Sequence, residues 1–232
     1  MVETVLMWLG YGLCHQLPER SLFGGAYQVP VCARDEGIYL GFVVSFIVVA
    51  LLARGRRPSE GPRLWVTSVG IVLIVLMALD GLTSYAGLRT TDNQIRLATG
   101  IFAGYAIALF ILPLLNGQIW RVQDRSRPLE RPWQVLAWLA TMPLLYMVAW
   151  WVLPRLGLVY PIIVAVAILA TFTLVNLVIV GLFRTFENRA ERPRDLVAPI
   201  LIAFAMTMVE LAGAAAFKAW LEGVATQLSR SR

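Results

Sequence analysis

Six long hydrophobic stretches separated by short charged loops dominate this chain. They are residues 37–53, 64–88, 97–120, 132–154, 156–183 and 196–217, and Asp80 and Glu210 are the charged residues inside them. About 20 apolar residues in a helix cross the ~30 Å hydrocarbon core of a bilayer. With 59% hydrophobic and 15% charged residues, the chain is too apolar for a soluble globule. The sequence predicts an all-α, polytopic membrane helix bundle of about six transmembrane helices.

The N-terminal region differs from these stretches. Residues 4–18 carry no charge, but this run is too short for a comfortable span and contains Gly10 and Gly12. We interpret it as an interfacial or partly inserted helix, and whether it crosses the bilayer stays open. It leads into a Cys/His loop that begins at Cys14. We expect one transmembrane domain over 1–232, with the interfacial helix and loop in 1–36 and the helix bundle in 37–222.

The distribution of arginine predicts an orientation in the cell membrane. Loops 54–63, 121–131 and 184–194 hold four Arg each, which is twelve of the twenty basic residues. Basic loops of membrane proteins face the cytoplasm, so the loop 14–35, the hairpin 89–96 and the C-terminus should be extracytoplasmic. The net charge of +6 then indicates contact with anionic lipid and no nucleic-acid partner.

The two intramembrane acids, Asp80 and Glu210, should lie in the outer half of the bilayer. At 1.5 Å per residue, they sit roughly 24 Å and 21 Å from the cytoplasmic ends of their helices. An acid at this depth costs about 2.5–3.5 kcal/mol and needs a partner or a function.

We predict Arg96 as the partner of Asp80, with Arg89 as the fallback. The structural reading is a buried ion pair, and the functional one is a ligand or proton site. The predicted binding residues are Asp80, Arg96, Arg89, Glu210, Arg20 and Arg34.

The chain has two cysteines and a single histidine, and all three lie in the N-terminal loop: Cys14, His15 and Cys32. In an oxidising compartment, a Cys14–Cys32 disulfide would close a 19-residue segment and contribute roughly 3 kcal/mol. This is the preferred interpretation. The alternative is a metal or haem group held by Cys14, His15 and Cys32, although zinc ligands usually come as two spaced pairs.

Two pairs of glycines indicate close helix packing. Gly37 and Gly41 are four residues apart in the first stretch, as are Gly100 and Gly104 in the third. Small residues at this spacing let membrane helices approach closely. We expect them to serve packing alone.

Several of these residues also form recognisable motifs. Cys14-His15-Gln16-x-Pro18-Glu19-Arg20-Ser21 is followed by Cys32-Ala33-Arg34-x-x-Gly37-Ile38-Tyr39-x-Gly41, then by Asp80-Gly81-Leu82-Thr83 and Arg96-Leu97-x-Thr99-Gly100. Over roughly residues 10–110 the chain resembles the prokaryotic integral membrane family called domain of unknown function 2085. The resemblance implies a membrane protein and no particular activity. This family often has a second cysteine where this chain has Asp35, which argues against a thiol-rich metal site or a Cys-x-x-Cys redox motif here. Asp35 still suits a hard cation.

Three classes of function follow. The first is binding, and movement across the membrane, of a small solute, ion or lipid headgroup at an outward-facing polar pocket lined by Asp80, Arg96 and Glu210. The second is a structural or assembly subunit, held to a membrane-protein partner or to another copy of the chain. The third is a metal-dependent or thiol-redox enzyme, for which the sequence gives no catalytic residue. A transporter should expose its acids to a water-filled cavity, whereas a subunit should bury them in pairs.

Overall fold

The computed structural model describes residues 2–230, with side chains through residue 227. Within this range it contains seven α-helices and one small antiparallel hairpin. The helices are α1 (Val2–Tyr11), α2 (Ala33–Leu52), α3 (Leu64–Tyr85), α4 (Asn93–Ile119), α5 (Pro132–Met147), α6 (Val159–Gly181) and α7 (Val197–Arg230). The prediction of an all-α membrane bundle is confirmed.

Six helical segments are long and apolar enough to cross a membrane, and they correspond to the six predicted stretches. The fourth of them, Pro132–Leu156, continues α5 through a π-helical turn at Val148–Val152 and a 3₁₀ turn at Leu153–Leu156. Helix α1 has only ten residues and is not among the six, in line with the predicted short N-terminal helix.

Helices α2 and α4 begin earlier than the sequence predicted. Cys32 occupies the N-cap of α2, and Asp35 and Glu36 lie in its first turn. Acidic side chains there interact favourably with the positive end of the helix dipole. At the start of α4, the Asp92 side chain accepts a hydrogen bond from the Ile95 amide at 2.8 Å. Arg34 and Arg96 therefore lie in the first turns of α2 and α4.

The glycine pairs bring α2 and α4 together, as predicted. A Cβ atom on Gly37 would lie 2.4 Å from the Leu97 carbonyl oxygen, and one on Gly100 would lie 2.1 Å from that of Arg34. One on Gly104 would be 2.2 Å from the Ile38 carbonyl oxygen. Any side chain at these positions would separate the two backbones, so the glycines are required for this contact.

The three Arg-rich loops meet at one end of the bundle, which we call the Arg-rich end. Pro58 pairs with Asp124 and Trp120 with Ala190 in short parallel bridges. Exposed ion pairs join Arg127 to Glu60, and Arg121 to Glu191. The loops 54–63, 121–131 and 184–194 therefore share one side of the protein.

The N-terminal loop covers the opposite end, which we call the pocket end. Within it, strands β1 (Phe23–Gly24) and β2 (Tyr27–Gln28) form a hairpin that the sequence analysis did not predict. Gly25 makes its turn with a φ of 62°, which glycine adopts without strain. Lys218 of α7 fixes the start of the loop, because its Nζ donates to the carbonyl oxygens of Tyr11 at 2.9 Å and Cys14 at 2.8 Å.

Candidate functional site

Asp80 is the centre of a buried ion-pair network at the pocket end. Its side chain is 1% exposed and pairs with Arg34 of α2 and with Arg89 of the α3–α4 linker. Thr91 Oγ1 donates to Asp80 Oδ1 at 3.1 Å, and Thr99 Oγ1 lies 3.3 Å from Oδ2. Both carboxylate oxygens are thus satisfied, which is what a buried charge requires.

The prediction that Arg96 pairs with Asp80 is wrong, and the fallback, Arg89, does pair with it. Among the described residues, the Arg96 side chain makes no ion pair or hydrogen bond, and its buried Nε has no partner. The reason is the early start of α2. The close α2–α4 contact at Gly100 places Arg34 beside Asp80 and Thr99, at the position expected for Arg96.

A cavity of about 390 Å³ lies next to this network, between the N-terminal loop and the ends of α2, α3 and α4. Three of the predicted binding residues, Arg20, Arg34 and Arg96, line it, and Asp35 is its one carboxylate. The lining residues are Leu13, Cys14, His15, Leu17, Arg20, Cys32, Arg34, Asp35, Ser84, Tyr85 and Arg96. Arg34 is already paired with Asp80, but Arg20 and Arg96 still outnumber the one carboxylate of the wall, so its electrostatics favour an anion.

The two cysteines meet at this cavity as free thiols. The predicted Cys14–Cys32 disulfide is therefore wrong for this structure, although the predicted proximity is right. The Cys32 sulfur lies 3.2 Å from Asp35 Oδ2, within hydrogen-bond distance, and its single proton is shared between Asp35 and Cys14. Ligand atoms of Cys14, Cys32 and Asp35 all lie within 4.8 Å of one another. His15, predicted beside the cysteines as a metal ligand, lines the cavity but is exposed and lies outside this group of three.

The two thiols differ in acidity. A hydrogen bond from Cys32 lowers the pKa of the Cys14 thiol to about 7. Donating to Cys14 raises the pKa of Cys32 far above the ordinary thiol value, and burial acts in the same direction. Near neutral pH, Cys14 is therefore the sulfur that ionises first.

Glu210 lies away from the cavity. It is exposed on α7 and accepts a hydrogen bond from Asn176 of α6 at 2.8 Å. Asn176 also donates to Thr207 at 3.1 Å. The structure therefore does not bring Glu210 to Asp80 and Arg96, as the predicted pocket required. Helix α7 packs on α6 and α1 instead.

Sequence reasoning missed one buried acid. Glu36 is fully buried, Tyr160 of α6 donates to its Oε1, and its Oε2 has no partner. The sequence pattern places Glu36 in the N-terminal loop, because the uncharged stretch begins at Gly37. The signal that places Glu36 in a first helical turn is the acidic pair Asp35-Glu36, which begins three residues after the N-cap Cys32.

Residues 14–110 match the family model described as "Predicted membrane protein (DUF2085)". An uncharacterized protein of Methanocaldococcus jannaschii is 34% identical over 119 residues, which are 51% of this chain and 74% of that protein. The chain therefore belongs to the DUF2085 family of predicted membrane proteins. An uncharacterized protein of Methanothermobacter thermautotrophicus is 32% identical over 97 residues, covering 42% of this chain and 82% of that protein. No solved structure matches. The DUF2085 match contains every cavity-lining residue except Leu13.

Proposed function

We propose that this membrane protein binds an anionic group, a phosphate or carboxylate carried by a small solute or by a lipid headgroup, in the cavity at the pocket end. Three arginines and one acid line this cavity. The planar guanidinium fork matches the oxygens of a carboxylate or phosphate.

The observation that carries the proposal is a pair of unsatisfied nitrogens. Nε of Arg34 and Nε of Arg96 are both buried without a hydrogen-bond partner, and both residues line the cavity. Leaving a buried polar group unpaired costs about 1–3 kcal/mol, and more for a charged one. An anion that binds in the cavity and draws the two guanidinium groups toward it would let these nitrogens donate and would remove that cost, which supplies a driving force for binding.

Asp80 acts in this proposal as a positioning residue for Arg34. The carboxylate is buried and has four partners, and it is not a lining residue of the cavity. Its Oδ2 holds one end of the Arg34 guanidinium group, so that Nε is left for a ligand. A buried, paired acid does not match the water-exposed acid that we expect of a transporter, so the proposal is for binding.

We place the Arg-rich end in the cytoplasm and the cavity on the outer face of the cell membrane. The twelve arginines of loops 54–63, 121–131 and 184–194 support this orientation through the positive-inside rule. The same orientation follows whether or not residues 4–18 cross the bilayer.

Binding is tested on purified protein in nanodiscs of neutral lipid, by thermal stabilisation during titration with inorganic phosphate. We expect saturable stabilisation that Arg96→Gln weakens about tenfold or more, the value of a charge-assisted hydrogen bond. Arg155→Gln is the matched control. Arg155 is exposed in the 3₁₀ turn beside the β1 hairpin at the same end, but it does not line the cavity.

A second experiment distinguishes a lipid headgroup from a free anion as the ligand. Nanodiscs with phosphatidic acid should stabilise the native protein without phosphate if the ligand is a headgroup, and Arg96→Gln should again remove the effect. Equal responses of native protein and Arg96→Gln in both arms would refute the proposal.

The orientation is tested with an impermeant maleimide on intact cells. In a background of Cys14→Ser and Cys32→Ser, Thr90→Cys should react and Gly61→Cys should not. Both positions are exposed, and a Cβ on Gly61 meets no atom within 4 Å, so access alone decides the labelling. The reverse pattern would place the cavity in the cytoplasm.

A subunit role is the second candidate, and the exposed acid on α7 favours it. Glu210 lies at mid-helix next to Val209, which is 72% exposed. An acid facing lipid is costly, so a partner helix that covers it would be stabilised. Mild solubilisation should then release an assembly larger than one chain, and Glu210→Ala should dissociate it. A monodisperse single chain from native membranes would refute this candidate.

A further inference from the structure

At the thiol side of the same cavity, three potential ligands of a metal ion converge from two separate segments of the chain. Cys32 and Asp35 are three residues apart at the N-terminus of α2, so they lie on one face of the helix. Cys14 follows α1 and is brought to them by the fold. Their ligand atoms lie within 4.8 Å of one another, and the Cys32 sulfur is 3.2 Å from Asp35 Oδ2.

We propose that Cys14, Cys32 and Asp35 bind one thiophilic divalent cation of the zinc or cobalt type, with the fourth coordination position open to the cavity. In a tetrahedral site with metal–sulfur bonds of about 2.3 Å, two sulfurs are about 3.8 Å apart. A sulfur and a carboxylate oxygen are about 3.6 Å apart in such a site. Movements of about 1 Å or less in the side chains would therefore complete it.

The donor set selects the class of metal. Thiolates favour zinc and similar borderline ions over magnesium or calcium, and a carboxylate as third ligand disfavours copper(I). On binding, the two thiols release their protons to solvent, and no electron is transferred. Two thiolates and one carboxylate around a divalent ion leave one net negative charge. Arg34, which precedes Asp35 in the chain and lines the same cavity, stabilises that charge.

The backbone around the site is fixed on both sides. Lys218 donates to the carbonyl oxygen of Cys14 at 2.8 Å. Gln16 turns the chain with a φ of 53° and donates to the Met7 and Pro30 carbonyl oxygens at 2.6 and 2.8 Å. These bonds hold Cys14 near α2 before a metal arrives. His15 lines the cavity but lies outside this group of three ligands, so this proposal replaces the predicted set of Cys14, His15 and Cys32.

The test is a titration of purified, chelator-treated protein with cobalt(II) under a non-thiol reductant. We expect a thiolate-to-cobalt charge-transfer band that saturates at one cobalt per chain and is displaced by zinc. Cys14→Ser and Cys32→Ser should each abolish the band. Asp35→Asn should weaken cobalt binding tenfold or more, in the range for a lost ligand or its support.

A variant that increases the charge-transfer band separates loss of a ligand from misfolding, because a misfolded variant can only lose the band. Asp35→Cys would raise the number of thiolates from two to three, so the charge-transfer intensity per cobalt should rise about 1.5-fold. His15→Ala and Glu19→Gln are the controls and should bind cobalt as the native protein does. Loss of stoichiometric cobalt in His15→Ala would overturn the proposed donor set.

The metal proposal does not depend on the anion proposal, and the experiments separate them. Arg96→Gln should lose phosphate binding and retain one cobalt per chain. Absence of a charge-transfer band in the native protein, or a band that survives Cys32→Ser, would overturn the metal site whatever the phosphate titration gives.

Discussion

The two ends of the bundle treat their charges in opposite ways. At the Arg-rich end, arginines pair with acids on neighbouring loops while both partners stay in water, as in Arg127–Glu60, whose side chains are 46% and 41% exposed. At the pocket end, the central acid Asp80 is 1% exposed and its partner Arg34 is 14% exposed, whereas Arg89 is 43% exposed. The Nε atoms of Arg34 and Arg96 have no partner there.

This difference separates charges that hold the fold together from charges that await a ligand. Water satisfies an exposed arginine whether or not an acid is near, so its pairing is worth little. A buried arginine must be satisfied by the protein or by something that the protein binds. The pocket end has fewer arginines, but these are the energetically significant ones.

Removing the central acid of each ion pair should show the largest contrast. Asp80→Asn leaves two arginines without their counter-charge and should lower the free energy of unfolding by about 3–5 kcal/mol. Glu60→Gln breaks an exposed pair and should cost less than about 1 kcal/mol. Thermal or denaturant unfolding in detergent gives both values.

A rescue variant confirms the cause of that loss. Asp80→Asn combined with Arg34→Gln removes both buried charges and should recover a large part of the stability, whereas adding Arg96→Gln to Asp80→Asn should recover little. If Arg96→Gln were the better rescue, Arg34 would not be the partner of Asp80.

Two glycines of α4, one near each end, offer the next contrast. A methyl group on Gly100 would lie 2.1 Å from the Arg34 carbonyl oxygen, but one on Gly117 meets the Ser59 carbonyl oxygen at an ordinary 3.5 Å. Gly100→Ala should therefore destabilise the protein by about 1–3 kcal/mol through overpacking. Gly117→Ala should be neutral or stabilise it by up to about 1 kcal/mol. Equal unfolding free energies for the two variants would contradict the tight α2–α4 contact.

A smaller difference is expected between single arginines at the two ends. Arg57 lies over the ring of Trp120 at the Arg-rich end, so Arg57→Gln should cost about 0.5–1 kcal/mol of stability. Arg96→Gln removes an unpaired buried nitrogen and should leave the unfolding free energy unchanged or raised. A large loss of stability with Arg96→Gln would show that Arg96 holds the fold, and the anion site would lose its main support.

The smallest effect concerns the acidity of Cys14. Because a hydrogen bond from Cys32 lowers the pKa of Cys14 to about 7, alkylation of Cys14 in metal-free protein should reach half its maximal rate near pH 7. Below that pH the reactive thiolate disappears. Cys32→Ala should move the midpoint up toward the ordinary thiol value of about 8.5. Peptide mapping after iodoacetamide treatment measures it, and a midpoint unaffected by Cys32→Ala would contradict the hydrogen bond.

The sequence predicted the spans well, because long apolar stretches have one stable arrangement in lipid. It also predicted that Asp80 needs a partner and that Gly37, Gly41, Gly100 and Gly104 pack closely. These predictions rest on local features that the surrounding fold does not change.

The sequence did not predict which groups would meet across helices. Arg34 was assigned to a loop, so its approach to Asp80 through the α2–α4 contact was not visible. The position of Glu210 was predicted from its depth in the membrane alone. Depth does not determine which face of α7 contacts which neighbouring helix. The contact between Cys32 and Asp35 depends on the start of α2 at Ala33, which the sequence analysis placed later.

The glycine contact between α2 and α4 has a mechanical consequence. Two helices whose backbones touch at Gly37, Gly41, Gly100 and Gly104 have no intervening side chains that could change rotamer, so they must move as one rigid body. Helix α3 packs mainly on α4 and is the outer member of this group. Its C-terminal Ser84 and Tyr85 form one wall of the cavity. Any widening of the cavity must therefore come from movement of α3 or of the N-terminal loop away from α2 and α4. The ion pair between Asp80 of α3 and Arg34 of α2 resists the movement of α3.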